Sequence, residues 1–131
     1  RCDPFGEDAD RPVSLAALNS AFQTGVRSPL DAAILEHSTP NVGGVSKTDE
    51  IPFDFEQRRV SVVLEREGAF QMITKGAPES ILGVCSTYEV NGTGRPLDAP
   101  ARTRCVETFR RLSRQGFRVL AIGCRVVAQP S

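Results

Sequence analysis

Apolar positions along this chain change their period several times, and each change marks an element. In "PVSLAALNSAF" the apolar residues Val13, Leu15, Ala16, Leu18 and Phe22 fall close to helical spacing. "TGVRSP" interrupts them, with Gly25 suited to a helix C-cap, Ser28 to an N-cap and Pro29 to a first helical position. "PLDAAILEH" then reads as a second helix with Leu30, Ala33, Ile34 and His37 on one side. Residues 38–50, "STPNVGGVSKTDE", predict a loop, the most mobile stretch of the chain. The period next falls to two. "IPFDFE" sets Phe53 and Phe55 against Asp54 and Glu56, "VSVVLE" (60–65) is β-branched, and "AFQMITK" alternates again. The short link "REG" predicts an antiparallel hairpin between the last two.

"PESILGVC" predicts a short helix with Pro78 in its first turn and Glu79 near its positive end. "TYEVNGTGRPL" reads as a strand and a Gly/Asn turn. "DAPARTRCVETFRRLSRQG" is the longest helix, with Asp98 as N-cap, Gly116 as C-cap and Cys105, Phe109 and Leu112 as its inward stripe. "FRVLAIGCRVV" is a near-continuous apolar run and predicts a central strand. The expected architecture is one α/β domain of the α+β type over residues 1–131, a mainly antiparallel twisted sheet flanked by helices.

Composition narrows the function classes. The chain has 131 residues, enough for a real core. Its 16 basic residues balance 16 acidic ones, so charge gives no reason to expect a nucleic-acid or membrane-surface partner. No apolar run approaches the roughly 20 residues that span a bilayer, and "RCDPFGEDADRP" is not a signal peptide. A start at Arg rather than Met suggests a piece of a longer protein. Cys2, Cys85, Cys105 and Cys124 form no CxxC pair and His37 is the single histidine, so no zinc site is expected. Reduced, mostly buried thiols are the expectation.

Several catalytic arrangements are missing: a G-x-x-x-x-G-K-[ST] phosphate loop, a G-x-G-x-x-G turn and a G-x-S-x-G elbow. What remains could hold a planar, anionic ligand. Phe53 and Phe55 offer aromatic faces beside "EQRR", Lys75 and Arg118 offer cations at or near strand ends, Asp31 offers an acceptor for an exocyclic amine, and Gly76 lets a ligand approach its backbone. Each has a plainer reading. Phe53 and Phe55 could be core residues, Asp31 could serve only the first turn of its helix, Arg58 could be a solvated turn residue and Arg118 could pair with a carboxylate on the adjacent helix. His37 reads as a partly buried structural residue.

Four segments then resemble one family in order. "KGAPE" (75–79) is similar to the motif of that sequence in the nucleotide-binding domain of P-type cation-transporting ATPases. "IPFDFEQRRVSVV" (51–63) resembles the segment that supplies its adenine-stacking phenylalanine, "GFRVLAIG" (116–123) its late arginine-bearing strand, and "SPLDAAIL" (28–35) its early helix. "LNSAFQTG", "DEIPFDFE" and "LSRQGFRVLA" look most like the bacterial magnesium-transporting branch. The resemblance implies that Phe53 stacks on adenine, that Lys75 lines the pocket floor beside Gly76, and that Arg118 reaches toward ribose and phosphates. It also puts Asp31 near the adenine amino group, although many members carry the longer glutamate there, and Arg58 at a basic position near the nucleotide. Phe55 stands where calcium pumps have arginine. The implied ligand is ATP, with Mg2+ on its phosphates. The implied partners are the phosphorylation and actuator domains of the same parent chain, in the cytoplasm beside the inner membrane. There the aspartate of a D-K-T-G-T motif would take the γ-phosphate. This sequence contains no D-K-T-G, so the resemblance implies ATP binding without hydrolysis by the chain itself, and no catalytic or metal-ligating residue in it. A pump for calcium, sodium or protons, or a non-enzymatic interaction module, are the alternative readings.

Overall fold

The computed structural model describes residues 4–6, 9–24, 28–54 and 56–127. The elements run α1 (Arg11–Phe22), α2 (Pro29–His37), β1 (Val45–Asp54), β2 (Arg59–Arg66), β3 (Ala69–Gly76), α3 (Pro78–Val84), β4 (Thr87–Val90), β5 (Thr93–Pro96), α4 (Ala99–Arg114) and β6 (Ala121–Val127). This is an α+β fold, as expected.

Local chemistry sets most of the boundaries. Glu67 and Gly68 both take positive φ, 53° and 80°, so a two-residue turn of the primed type closes the β2–β3 hairpin. Asn91 and Gly92, at 52° and 76°, do the same for β4–β5. Asp98 caps α4 by accepting from the Ala101 N–H at 2.9 Å. At its other end Gly116 takes φ 91°, its N–H bonds the Ser113 carbonyl at 3.0 Å and that of Phe117 bonds Leu112 at 3.1 Å, which is a complete Schellman stop. α1 ends with Gln23 as an extended C-cap. Gly25, expected in that role, lies outside the described residues, as does Phe55.

The main sheet has the order β1-β2-β3-β6, with every pair antiparallel, and β4-β5 forms a separate ribbon. Two expectations are corrected. The apolar run after Gly116 is an edge strand rather than a central one, and it begins only at Ala121. Phe117 and Val126 are exposed, and this edge is where an apolar run can stay half-wet. The loop expected at 38–50 is strand from Val45 onward. There one face carries Val45, Lys47 and Glu50 half-buried over α1, and the polar residues between them hid the alternation.

Helices cover both faces of the sheet. Val62, Leu64 and Ile73 form a buried cluster with Leu15, Leu18 and Phe22 of α1 and with Ile122 of β6. A Cβ on the next residue, Gly123, would instead meet Ile81 and the Cys85 sulfur at 3.5 and 3.6 Å. Successive strand residues point to opposite faces, so α1 and α3 lie on opposite sides. A second cluster, Leu97, Ala101 and Cys105 with Leu82, Cys85, Phe5 and Tyr88, joins α3, α4 and the ribbon. The buried face of α4 is Ala101, Cys105 and Thr108, with the expected Phe109 and Leu112 half-buried. Cys105 is buried and Cys85 half-buried, but Cys124 is exposed rather than buried. His37 is likewise exposed.

Candidate functional site

β1 and β3 end, and β2 and β6 begin, at one end of the main sheet, and the candidate residues gather there. Register places them. Lys75 lies opposite Val60 of β2 on one side and Ile122 of β6 on the other. Val60 in turn faces the irregular stretch of β1 between Ile51 and Asp54. Three β1 steps there oppose two on β2, so Pro52 and Phe53 sit in a bulge, a device that re-aims a side chain. Phe53 is half exposed, at 50%. Phe53 and Lys75 therefore occupy one crosswise row, two strands apart.

Lys75 is buried, with only 5% of its surface exposed. Its ammonium donates to Ser20 Oγ at 2.8 Å, to Gln23 Oε1 at 3.4 Å and to Asp31 Oδ1, so all three of its N–H groups have acceptors. Asp31 is equally committed. Its Oδ1 also accepts from the Ser20 hydroxyl at 3.0 Å, and its Oδ2 accepts from the Ser28 N–H and hydroxyl, each at 3.0 Å. The Ser28 hydroxyl accepts from the Asp31 N–H at 3.2 Å, which completes a capping box at the start of α2. Burial resists ionisation of Asp31, but Lys75, Ser28 and Ser20 together outweigh it and hold the carboxyl below its ordinary value. Burial draws the Lys75 ammonium below its ordinary value, against the pull of Asp31.

Gly76 ends β3 opposite Arg59 and Ala121. A Cβ here would run into the Arg58 carbonyl oxygen and lie 2.7 Å from Arg59 Cβ and 2.9 Å from Arg59 Cα. The close approach that glycine permits at this position is that of the chain's own β2 backbone. Arg58 has φ 55° in the turn between β1 and β2, and its guanidinium pairs with Glu79 of α3. Arg118 is exposed in the link from α4, upstream of Ala121, the β6 residue facing Gly76. Thus Asp31 and Lys75 touch, Arg58 and Gly76 pack together, and Phe53 and Arg118, both exposed, stand at the same end of the sheet.

Sequence reading missed Ser20, Gln23 and Asn19. The buried positions of α1 are Ala16, Ala17, Asn19 and Ser20, small and polar, rather than the larger apolar residues singled out. Asn19 Nδ2 donates to the Val60 and Ile73 carbonyls at 3.1 and 2.9 Å, which fixes the amide orientation and leaves Oδ1 without a partner among the described residues. A polar run at helical spacing, Asn19, Ser20 and Gln23, was the available signal. Among the described residues there is no His/Cys/Asp/Glu group that could hold a metal ion, and no helix long and apolar enough to cross a membrane.

Comparisons with known proteins show the family of the chain. Residues 17–131 match the family model described as P-type ATPase, cytoplasmic domain N, and the chain belongs to that family. It is 40% identical over 129 residues to the magnesium-transporting ATPase, P-type 1, of Salmonella typhimurium and equally to that of Escherichia coli, covering 94% of this chain and 14% of each relative. It is 35% identical over 99 residues to the sodium/potassium-transporting ATPase subunit alpha-A of Artemia franciscana, covering 69% of this chain and 10% of that protein. The chain thus spans a small part of the length of the relatives it matches.

Proposed function

We propose that this chain is a single nucleotide-binding unit that takes ATP at the Phe53–Lys75 end of its sheet. It presents the nucleotide to a separate phosphorylation domain of a parent P-type ATPase, with the actuator domain as a further partner. Phe53 stacks on the base and Arg118 reaches the ribose and phosphates from the α4–β6 link. Lys75 and Gly76 form the floor, Asp31 supports that floor from behind, and Arg58 lies at the rim. The observation that carries this reading is a half-exposed aromatic ring re-aimed by a bulge, in one row with a buried lysine, in a chain of the N-domain family. Mg2+ arrives on the phosphates, since the described residues offer no cage of their own. The chain carries no D-K-T-G aspartate, so it binds ATP and leaves phosphoryl transfer to the parent.

The cargo we assign to the parent is magnesium, across a bacterial inner membrane with this unit on the cytoplasmic side, because relatives of that name match at 94% of this chain. Relatives named for sodium, potassium or calcium transport match over shorter stretches. ATP titration of the 15N-labelled chain tests the binding reading. Shift changes clustered at Phe53, Lys75 and Gly76 are expected, and a flat response at millimolar ATP would sink it.

A further inference from the structure

The turn that follows Phe53 is fastened at both ends. Asp54 Oδ1 accepts from the Glu56 and Gln57 N–H groups at 2.8 and 3.1 Å, which shapes the turn internally. The other fastening comes from the "KGAPES" segment, across the sheet. The Ala77 N–H donates to the Arg58 carbonyl at 3.1 Å. The Ser80 hydroxyl donates to the Gln57 carbonyl and accepts from Arg59 Nη1 at 3.1 Å. Gly76 has no side chain to push the Arg58 carbonyl away. Only the outermost contact, Arg58 to Glu79, is an exposed ion pair.

We propose that Ser80 is a positioning residue for nucleotide binding: its hydroxyl clamps the 56–59 turn to the start of α3 and so sets the angle of the Phe53 ring at this end of the sheet. This rests on the reading that Phe53 stacks on the base. Phe53 sits in a bulge rather than in a regular ladder, and the turn beyond it adds a constraint on the direction of the strand that carries it. The Ser80 hydroxyl touches both limbs of that turn, one through a backbone carbonyl and one through a guanidinium. On this view the motif acts at the site in two ways. Its lysine forms the floor, and its trailing serine aims the ring opposite without touching the ligand.

The experiment measures ATP binding to the 131-residue chain by calorimetry and, at saturating ATP, the upfield ring-current shifts of the adenine H2 and H8 protons. Ser80→Ala is expected to weaken binding by about threefold to tenfold, the order that loss of a hydrogen-bonded side chain carries, and to reduce the adenine shifts. Ser80→Thr, which keeps the hydroxyl, restores both. Asp98→Ala removes the α4 cap on the far side of α3 and lowers stability while leaving the adenine shifts unchanged. That separates aim from global stability, and an equal loss of shift in Asp98→Ala overturns the positioning role. So does a Ser80→Ala protein that binds and shifts as the parent chain does while Phe53→Ala loses both. If Phe53→Ala itself binds ATP with unchanged affinity, the stacking reading fails first and the positioning role falls with it.

Discussion

Lys75 and Asp31 form an ion pair whose side chains are 6% and 5% exposed, while Arg58 and Glu79 form another in which both are 52% exposed. Both pairs involve the same strand-to-helix junction, one at its first residue and one four residues later. The inner pair is surrounded by acceptors and donors that satisfy each member: Ser20, Gln23 and Ser28 leave neither charge short of a partner. The outer pair has water on most sides. A buried pair is costly to assemble and more costly to break, because the survivor keeps its desolvation penalty with nothing to offset it. An exposed pair gains little and loses little. The inner pair therefore fixes where α1 and α2 sit on the sheet, and the outer pair trims the rim of the candidate pocket.

The largest test of this contrast is to break the inner pair from one side. Asp31→Ala strands the Lys75 ammonium and removes the Asp31 half of the α2 capping box together, and should cost about 3–5 kcal/mol in urea unfolding. Replacing both members, Asp31→Leu with Lys75→Met, should recover part of that loss, because no orphan charge remains. If the double variant is no more stable than Asp31→Ala, the cost lies in the lost Asp31–Ser28 bonds rather than in the charge pair.

Gly76→Ala should come next. Its Cβ meets backbone and a Cβ on β2, neither of which is the far end of a flexible side chain. An overpacking loss of about 1–3 kcal/mol is expected in the same unfolding assay. A neutral result would mean that the β1–β2 turn shifts freely, which would also weaken the case for a clamped ring. Phe53→Ala should behave in the opposite way. The ring is half exposed, so stability changes little, but ATP affinity should fall by about 1–3 kcal/mol, the usual worth of a base stacked on an aromatic face.

How far the sequence announced this arrangement depends on the kind of signal. The capping residues Ser28 and Asp98, the α4 stop at Gly116 and both tight turns are encoded within a few neighbouring residues, and all were legible. The placement of Lys75 at the end of a strand was legible for the same reason. Which strand would be the edge was not, because that is decided by pairings between residues far apart, such as Ile73 with Cys124. The partner of Lys75 was also hidden. From the sequence Asp31 reads as facing a ligand or serving its own helix; in the structure it completes the capping box of that helix and also pairs with Lys75. Nothing local in "SPLDAAIL" says that a cation from β3 will arrive there, and Ser20 reads as an ordinary helix residue although it is buried beside Asn19.

The inner pair also responds to pH. Asp31 has its folded pKa held below the ordinary 3.8. A depressed carboxylate contributes its full stability above the unfolded value and loses it as pH falls from there through the folded value. The acid limb of the stability curve should thus steepen below about pH 3.8 and be shallower in Asp31→Asn, which has no carboxyl to protonate. Equal slopes would show that other carboxylates carry the acid sensitivity.

The smallest effect belongs to the outer pair. Glu79→Gln removes its charge and keeps its size, and should change stability by about 0–1 kcal/mol, less at high salt, where exposed pairs are screened. The same variant frees the Arg58 guanidinium at the rim of the candidate pocket. If Arg58 meets the nucleotide, Glu79→Gln should bind ATP slightly more tightly at low salt, with the gain vanishing for adenosine, which has no phosphates to attract it. An equal gain for both ligands would place the effect on the base and point back to the turn. No gain for either would leave Arg58 a solvated turn residue whose partner merely covers the start of α3.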